Sequence, residues 1–496
     1  MIAELRHKLV ARFHDVLANF NTRFPNETGL RRFSVAPGDP ASFEPIREQL
    51  RQRQELVRAE QQNYLAGHWP IGLLATCLGL DTVDIAQGIA AQGLKLKVAL
   101  GHEAERQAMV CAIASNNARG CVLDLLAFWN AWHLKVLDVI TALCGPVHVG
   151  QRVLDRLMER REDLRRSSGR GTKSIHYRDG QIAFTEFGPE IVQEWLGDLD
   201  AAIAWLREHA VIEPVVISDA IPDVIKDHVS LGFGDLFDTL VIAWQKDLLL
   251  LSDDLPIRQV AAELGFRKAA WTQGVLLTAR DRRRLDNERY VRATAYLIGA
   301  GHDFVGVASD DLMLALWLDF QAVGAPGPLF NALSSVIGGR NADPVSHTGQ
   351  VIRFLRRTWA DWQTWHAWST WTWWHRWDDP ATERCRKRAT SILLRCLIRE
   401  RVGDYPVMIA NIYRYVGGSD SMRGSPEFRV FLAQWVRGHF LLPTSDGVSR
   451  RADVQADASA AKADETAVGV GEPGPGQRPG NRPKSHRSKH ERRRSL

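Results

Sequence analysis

Between residues 120 and 165 the chain alternates short apolar runs with helical patterns, and this alternation limits the fold more than any other feature. The stretch "GCVLDLLAFWNAWHLKVLDVITALCGPVHVGQRVLDRLMERRED" reads as a strand over Cys121–Asp124 and a helix over about 126–143. A strand over Val147–Gly150 and a helix over about 151–165 follow. Strands separated by helices require crossover connections, which build a parallel sheet from βαβ units. Downstream, "SIHYRDGQIAFTEF" alternates about Asp179-Gly180, a hairpin signal. A helix is expected over about 190–209, then "VIEPVVISD" as a strand or loop. "FGDLFDTLVIAWQKD" reads as a helix, "LLLLSDD" as a strand and "LPIRQVAAELG" as another helix. Further strands are expected near Arg267–Trp271 and around 303–308. An α/β domain over 116–315 accommodates these elements, with an insertion near 167–215.

Helical regions flank this domain. Residues 1–115 open with an amphipathic helix in "MIAELRHKLVARFHDVLANF" and continue with the densely charged "FEPIREQLRQRQELVRAEQQNYLAGH". "WPIGLLATCLGLDTVDIAQGIAAQG" gives two short helices about Gly79-Leu80-Asp81, a pattern shared by helix-turn-helix DNA readers and by ordinary all-α regions. Residues 316–445 read as a largely helical, tryptophan-rich domain. From about 446 the chain is rich in Gly and Pro and too poor in apolar bulk to offset its conformational entropy, so 446–496 is expected to be disordered. This tail ends with eight Lys/Arg between Arg478 and Leu496, Arg492, Arg493 and Arg494 among them, against the single acid Glu491. Such a tail either holds phosphate backbones through counterion release or only aids solubility.

No apolar run approaches the roughly 20 residues of a bilayer span, and the N-terminus lacks the apolar core of a signal peptide. Six cysteines without zinc-like pairing are expected to be reduced thiols of a cytoplasmic protein.

Acidic residues fall at informative places on this frame. Asp124 and Asp254 end strands, where parallel α/β sheets place their ligand sites. Asp235 and Asp238 sit three apart on the helix leading into the second of these strands. Carboxylates gathered at one sheet edge repel one another unless cations compensate. Hard oxygen ligands suit Mg²⁺ or Mn²⁺, which activate water for displacement at phosphorus. Taken singly, each Asp reads better as a helix cap or turn residue, and it is the four together, each at a strand end or helix start, that carry the signal.

The segments "CVLDLLAFW", "LKVLDVITALCGPVHVGQRVLDRL" and "GDLFDTLVIAWQKDLLLLSDDLPIRQVAAELGF" together resemble a PIN domain, the family of small metal-dependent ribonucleases. The resemblance extends over roughly 35–315 to long bacterial PIN-containing proteins with a helical region ahead of the nuclease. It implies a three-layer α/β/α fold and a divalent-metal-dependent endoribonuclease with RNA as its partner. Under it, Asp124, Asp238 and Asp254 are the catalytic metal ligands, Asp253 is a fourth acid, and Ser252 is the small hydroxyl residue before the last acid. Where the family usually carries a second acid this chain has Arg156, so Asp155 or Glu159 would have to substitute. The acid set is therefore Asp124, Asp238 and Asp254, extended by Asp155, Asp235 and Asp253, around Mg²⁺ or Mn²⁺. An inhibitor protein or an oligomeric partner is compatible with this reading. The alternatives are a non-catalytic PIN-like scaffold for nucleic acid or protein, and a helix-turn-helix DNA-binding regulator using "IRQVAAELGFRKAAWTQGVL".

In "TWADWQTWHAWSTWTWWHRW", seven tryptophans from Trp359 to Trp377 recur every three residues. A three-residue step turns an α-helix by about 300°, so the series drifts roughly 60° per step and passes once round the helix. The preferred reading is a helix wrapped on all sides, or an oligomer interface. The alternative is single-stranded nucleic acid stacked on exposed rings such as Trp365 and Trp368 beside Arg376.

Overall fold

The computed structural model describes residues 44–178, 181–217, 221–228, 234–339, 343–359, 380–400, 403–417 and 425–439. The expected helix at the N-terminus, the Asp179-Gly180 turn, Trp365, Trp368 and Arg376, and the tail with Arg492, Arg493 and Arg494 lie outside them. The chain divides into two compact units, Met1–Phe354 with Trp371–Glu400, and Leu355–Thr370 with Arg401–Leu496.

In the first unit four helices precede the sheet: α1 (Glu44–Leu65), α2 (Ile71–Leu78), α3 (Thr82–Ala91) and α4 (Glu103–Ser115). Gly79, at φ 64°, ends α2, and Asp81 caps α3 by accepting the Asp84 N–H at 2.7 Å. Then come β1 (Cys121–Leu123), α5 (Leu125–His133), α6 (Leu137–Cys144), β2 (Val147–Gly150) and α7 (Gln151–Ser167). A hairpin of β3 (Thr172–Arg178) and β4 (Gln181–Phe187) leads through α8 (Pro189–His209) to β5 (Val211–Glu213). Next come α9 (Asp223–His228), α10 (Gly234–Lys246), β6 (Leu249–Leu251), α11 (Leu255–Glu263), β7 (Ala269–Ala270) and α12 (Thr272–Asp281), and helices over Asn287–Gly299, Ser309–Val323, Pro328–Ser335 and Pro380–Arg399 follow in the same unit.

The five strands β5-β2-β1-β6-β7 form one all-parallel sheet, with Leu123 opposite both Val149 and Leu251. The central strands, Cys-Val-Leu and Leu-Leu-Leu, are wholly buried, because helices cover both faces of such a sheet. On one face Val122 and Leu250 pack against Phe237, Leu240 and Val241 of α10 and Ile257 and Ala261 of α11. The alternate positions, Cys121 and Leu123, face the opposite layer. The result is a three-layer α/β/α arrangement with helical flanks, as expected.

Three local expectations change. The helix expected over 126–143 is two helices, because Lys135 takes a left-handed φ of 54° between them. Around 303–308 there is no strand, only a parallel bridge between Leu96 and His302. Phe304 at φ 46° breaks the extended run, and the Gln273 side chain both accepts from Gly306 N (3.1 Å) and donates to its carbonyl (2.8 Å). With those backbone groups satisfied by a side chain, no ladder forms. In "IRQVAAELGFRKAAWTQGVL" the edge strand β7 intervenes between α11 and α12, so the segment is sheet-flanking structure rather than a helix-turn-helix.

In the second unit a helix over Tyr405–Ile412 continues as a π-helical turn over Tyr413–Gly417, and another helix spans Pro426–Gly438. Trp359, first of the tryptophan series, is buried there with its ring 5.4 Å from Phe428 and 5.3 Å from Phe431. Among the described residues no single helix is long and apolar enough to cross a membrane. All six cysteines are free thiols, with Cys77 and Cys111 at the surface.

Candidate active site

The C-terminal ends of β1, β2 and β6 open into one cleft of about 100 Å³. Asp124, Asp238 and Asp254 all line it. Asp124 follows β1 and caps α5, its Oδ1 accepting the Ala127 N–H at 2.7 Å. Asp254 sits between β6 and α11 and makes no cap bond there. Its Oδ2 instead accepts the Ile71 N–H from the start of α2 at 2.9 Å. Its Oδ1 is buried with no hydrogen-bond partner, an unusual state for a carboxylate oxygen. Asp238 reaches the cleft from α10, is only 4% exposed, and meets Arg152 Nε of α7 at 3.3 Å.

Burial dominates the electrostatics. It pushes the Asp254 carboxyl well above the usual range, and the neighbouring Asp124 charge pushes the same way. Burial likewise pushes Asp124 up to about 6, against the Ala127 amide and the Ser252 hydroxyl, which favour its ionised form. Behind the acids lies the buried guanidinium of Arg258. It donates to the Ser252 carbonyl at 2.6 Å, to the Val98 carbonyl and to Glu105 Oε1 at 3.4 Å. It also lies 5.1 Å from the Trp271 ring centre. This cation therefore braces the turn that carries Asp254 and offsets part of the local negative charge.

Residues 122–263, which carry all three acids and the strands that aim them, match the model of a family described as a PIN domain associated with the TPR-GreAB-C-PIN system. This segment is a PIN domain. No curated protein and no solved structure matches the chain.

Among the described residues, the other acids of the expected set do not join the three in the cleft. Asp253 faces inward, where its oxygens accept Thr272 N (2.8 Å), Thr272 Oγ1 (2.7 Å) and Asn130 Nδ2 (2.7 Å). Asn130 Nδ2 lies 3.0 Å from Nε2 of the buried His302, so Asp253 anchors a network that fixes β6 to α5 and α12. Asp155 is exposed on the outer face of α7 and accepts from Gln151 Nε2 at 2.9 Å. Glu159 pairs with Arg156 at 2.8 Å, and Arg156, rather than either acid, lines the cleft. The Asp235 side chain lies outside the described residues. Among the described residues no three His, Cys, Asp or Glu side chains gather closely enough to form a metal-ion cluster. Among its described residues, the insertion over 167–215 contributes none to the lining.

The roof of the cleft comes from outside the matched PIN segment. Ile71, Gly72, Ala75 and Thr76 of α2, with Leu80–Thr82 at the turn into α3, form one wall. Arg160 of α7 ties this wall down, its Nη1 2.6 Å from both Asp81 Oδ2 and Asp84 Oδ1. Residues 70–91 therefore pack over the acids instead of presenting a free recognition helix. Arg160→Ala is expected to cost about 1.5–3 kcal/mol, as for hydrogen bonds between charged groups. It should also speed amide exchange across α2, which an unaltered exchange rate would refute.

Of these contacts, sequence reasoning misses the Ile71 amide, Arg152, Arg160 and Arg258. The Ile71 and Arg258 contacts join positions 183 and 160 residues apart, which no local pattern reveals. The recurrence of Arg152, Arg156 and Arg160 every fourth residue on one helix face was the available signal.

Proposed function

We propose that the cleft is the centre of a divalent-metal-dependent endoribonuclease. The observation that carries this reading is the unpartnered, buried Oδ1 of Asp254 beside Asp124, on strand ends of a PIN domain. Two carboxylates completed by waters suit Mg²⁺, and Mn²⁺ accepts the same hard oxygens. Asp124 and Asp254 would hold the ion, with Asp238 across the cleft. Bound there, the ion supplies charge neutralisation and an activated water for attack at phosphorus. The chain's own part is orientation. The Ala127 and Ile71 amides each hold one carboxylate oxygen, and Arg258 fixes the turn between β6 and α11.

A second reading draws on the Arg152–Asp238 pair and on Arg156 at the cleft, the latter being the position where the resemblance implies another acid. On that reading the domain binds RNA or a protein without cutting. Incubation of labelled single-stranded RNA with the full chain separates the two. Cleavage in Mn²⁺ that disappears in EDTA supports the nuclease; RNA retained uncut under both conditions supports the scaffold.

A further inference from the structure

We infer that Arg152 and Arg156 are a phosphate-holding pair, gripping a nucleic-acid phosphate in the cleft that Asp124 and Asp254 also line. This inference rests on the reading that the cleft takes up RNA, whether or not it cuts it. Both arginines lie on α7, four residues apart and so on one face, and both line the cleft. An anionic phosphodiester entering a cleft of carboxylates needs positive charge in that cleft, and these side chains provide it. Guanidinium suits that task because its planar donor fork matches phosphate oxygens.

Helix stability does not account for Arg152. It stands in the first turn of α7, where the macrodipole favours acids, and that turn holds none. Its Nε meets Asp238 at 3.3 Å while the side chain stays 46% exposed, so the guanidinium bridges the acid and the open side of the cleft. Arg156 is 49% exposed and its partner Glu159 63%. Such a surface pair is weak enough to exchange its carboxylate for a phosphate. The cleft, at about 100 Å³, admits a phosphate group but falls short of the roughly 300 Å³ or more of a typical small-ligand pocket. Seating a nucleoside beside the phosphate therefore requires the wall over 70–82 to move or the base to remain outside.

The test is fluorescence anisotropy of a labelled single-stranded hexaribonucleotide on the full chain in EDTA, across a salt series. Wild type, Arg152→Ala, Arg156→Ala, and the Arg152→Lys and Arg156→Lys variants are compared, each with a melting curve. The expected result is roughly tenfold weaker binding for each Ala variant and a salt slope reduced by about one per arginine removed. The Lys variants should fall between the Ala variants and wild type. Ala variants that bind as wild type with an unchanged slope would overturn the pair, as would a wild type that does not bind in EDTA. A lowered melting temperature with intact binding would make Arg152 only the neutraliser of Asp238. Because these measurements omit metal, a chain that never cleaves but loses binding in the Ala variants would sink the nuclease reading and leave this one standing.

Discussion

Asp254→Asn is expected to lower Mn²⁺-dependent RNA cleavage by about 10²–10³-fold, the usual loss when one preorganised electrostatic group is removed from a reaction centre. In EDTA the same change should raise the melting temperature. The two effects share one cause. The Asp254 carboxylate is buried, repelled by Asp124, and leaves Oδ1 without a partner, so its charge, only partly offset by Arg258, stays unfavourable until a further cation arrives. An Asn of the same shape keeps an acceptor for the Ile71 amide and removes the charge. Asp124 shows the same conflict through pH. Its carboxyl is pushed up to about 6 by burial, against about 3.9 in an unfolded chain, so the folded state holds its proton more tightly. That contribution is fully present below about pH 4 and is lost as pH rises through about 6, amounting to about 3 kcal/mol. Asp303, also pushed up to about 6 by burial, adds a parallel contribution, so the comparison must be between wild type and Asp124→Asn. In EDTA, wild type should lose more stability than Asp124→Asn between pH 4.5 and 7.5, and Mn²⁺ should restore part of the difference at pH 7.5. Parallel stability curves for the two proteins would show that Asp124 is not desolvated as described.

Arg258→Ala is expected to be the most destabilising single change near the site, at about 3–5 kcal/mol. The residue is 7% exposed, and its guanidinium satisfies the Ser252 and Val98 carbonyls while facing Glu105. Removing it strands these groups and takes positive charge from beside Asp253 and Asp254. The double variant with Asp254→Asn should therefore lose less than the sum of the two single changes, since the neutral side chain no longer needs the cation. Urea unfolding in EDTA measures both quantities. A loss under 1 kcal/mol for Arg258→Ala, or strict additivity with Asp254→Asn, would show that Arg258 does not brace the acids.

Much of the α/β domain is legible in its residues because parallel sheets announce themselves locally. Val147–Gly150 is a strand with the expected ends, and "LLLLSDD" contains β6 followed by its acids, since wholly buried strands have to be apolar runs. Asp124 and Asp254 are legible for a related reason: a residue just beyond a parallel strand faces the same sheet edge wherever that strand sits in the order, whereas Asp238 lies on the helix leading into β6. The left-handed Lys135 and the side-chain-satisfied loop at Phe304 are not legible, because Lys and Phe carry no local preference for those conformations. Nor does the chain by itself separate Asp253 from Asp254. Adjacent residues in an extended turn point opposite ways, so one meets Thr272 and Asn130 inside while the other meets the cleft. The contacts that decide the character of the site, Ile71 on Asp254, Arg152 on Asp238, Arg160 on the roof and Arg258 beneath, join elements far apart in the chain. Local sequence specified the acids and the strands that aim them. Tertiary packing alone determined their desolvation and the cations they face, because burial and charge pairing depend on which distant segments meet.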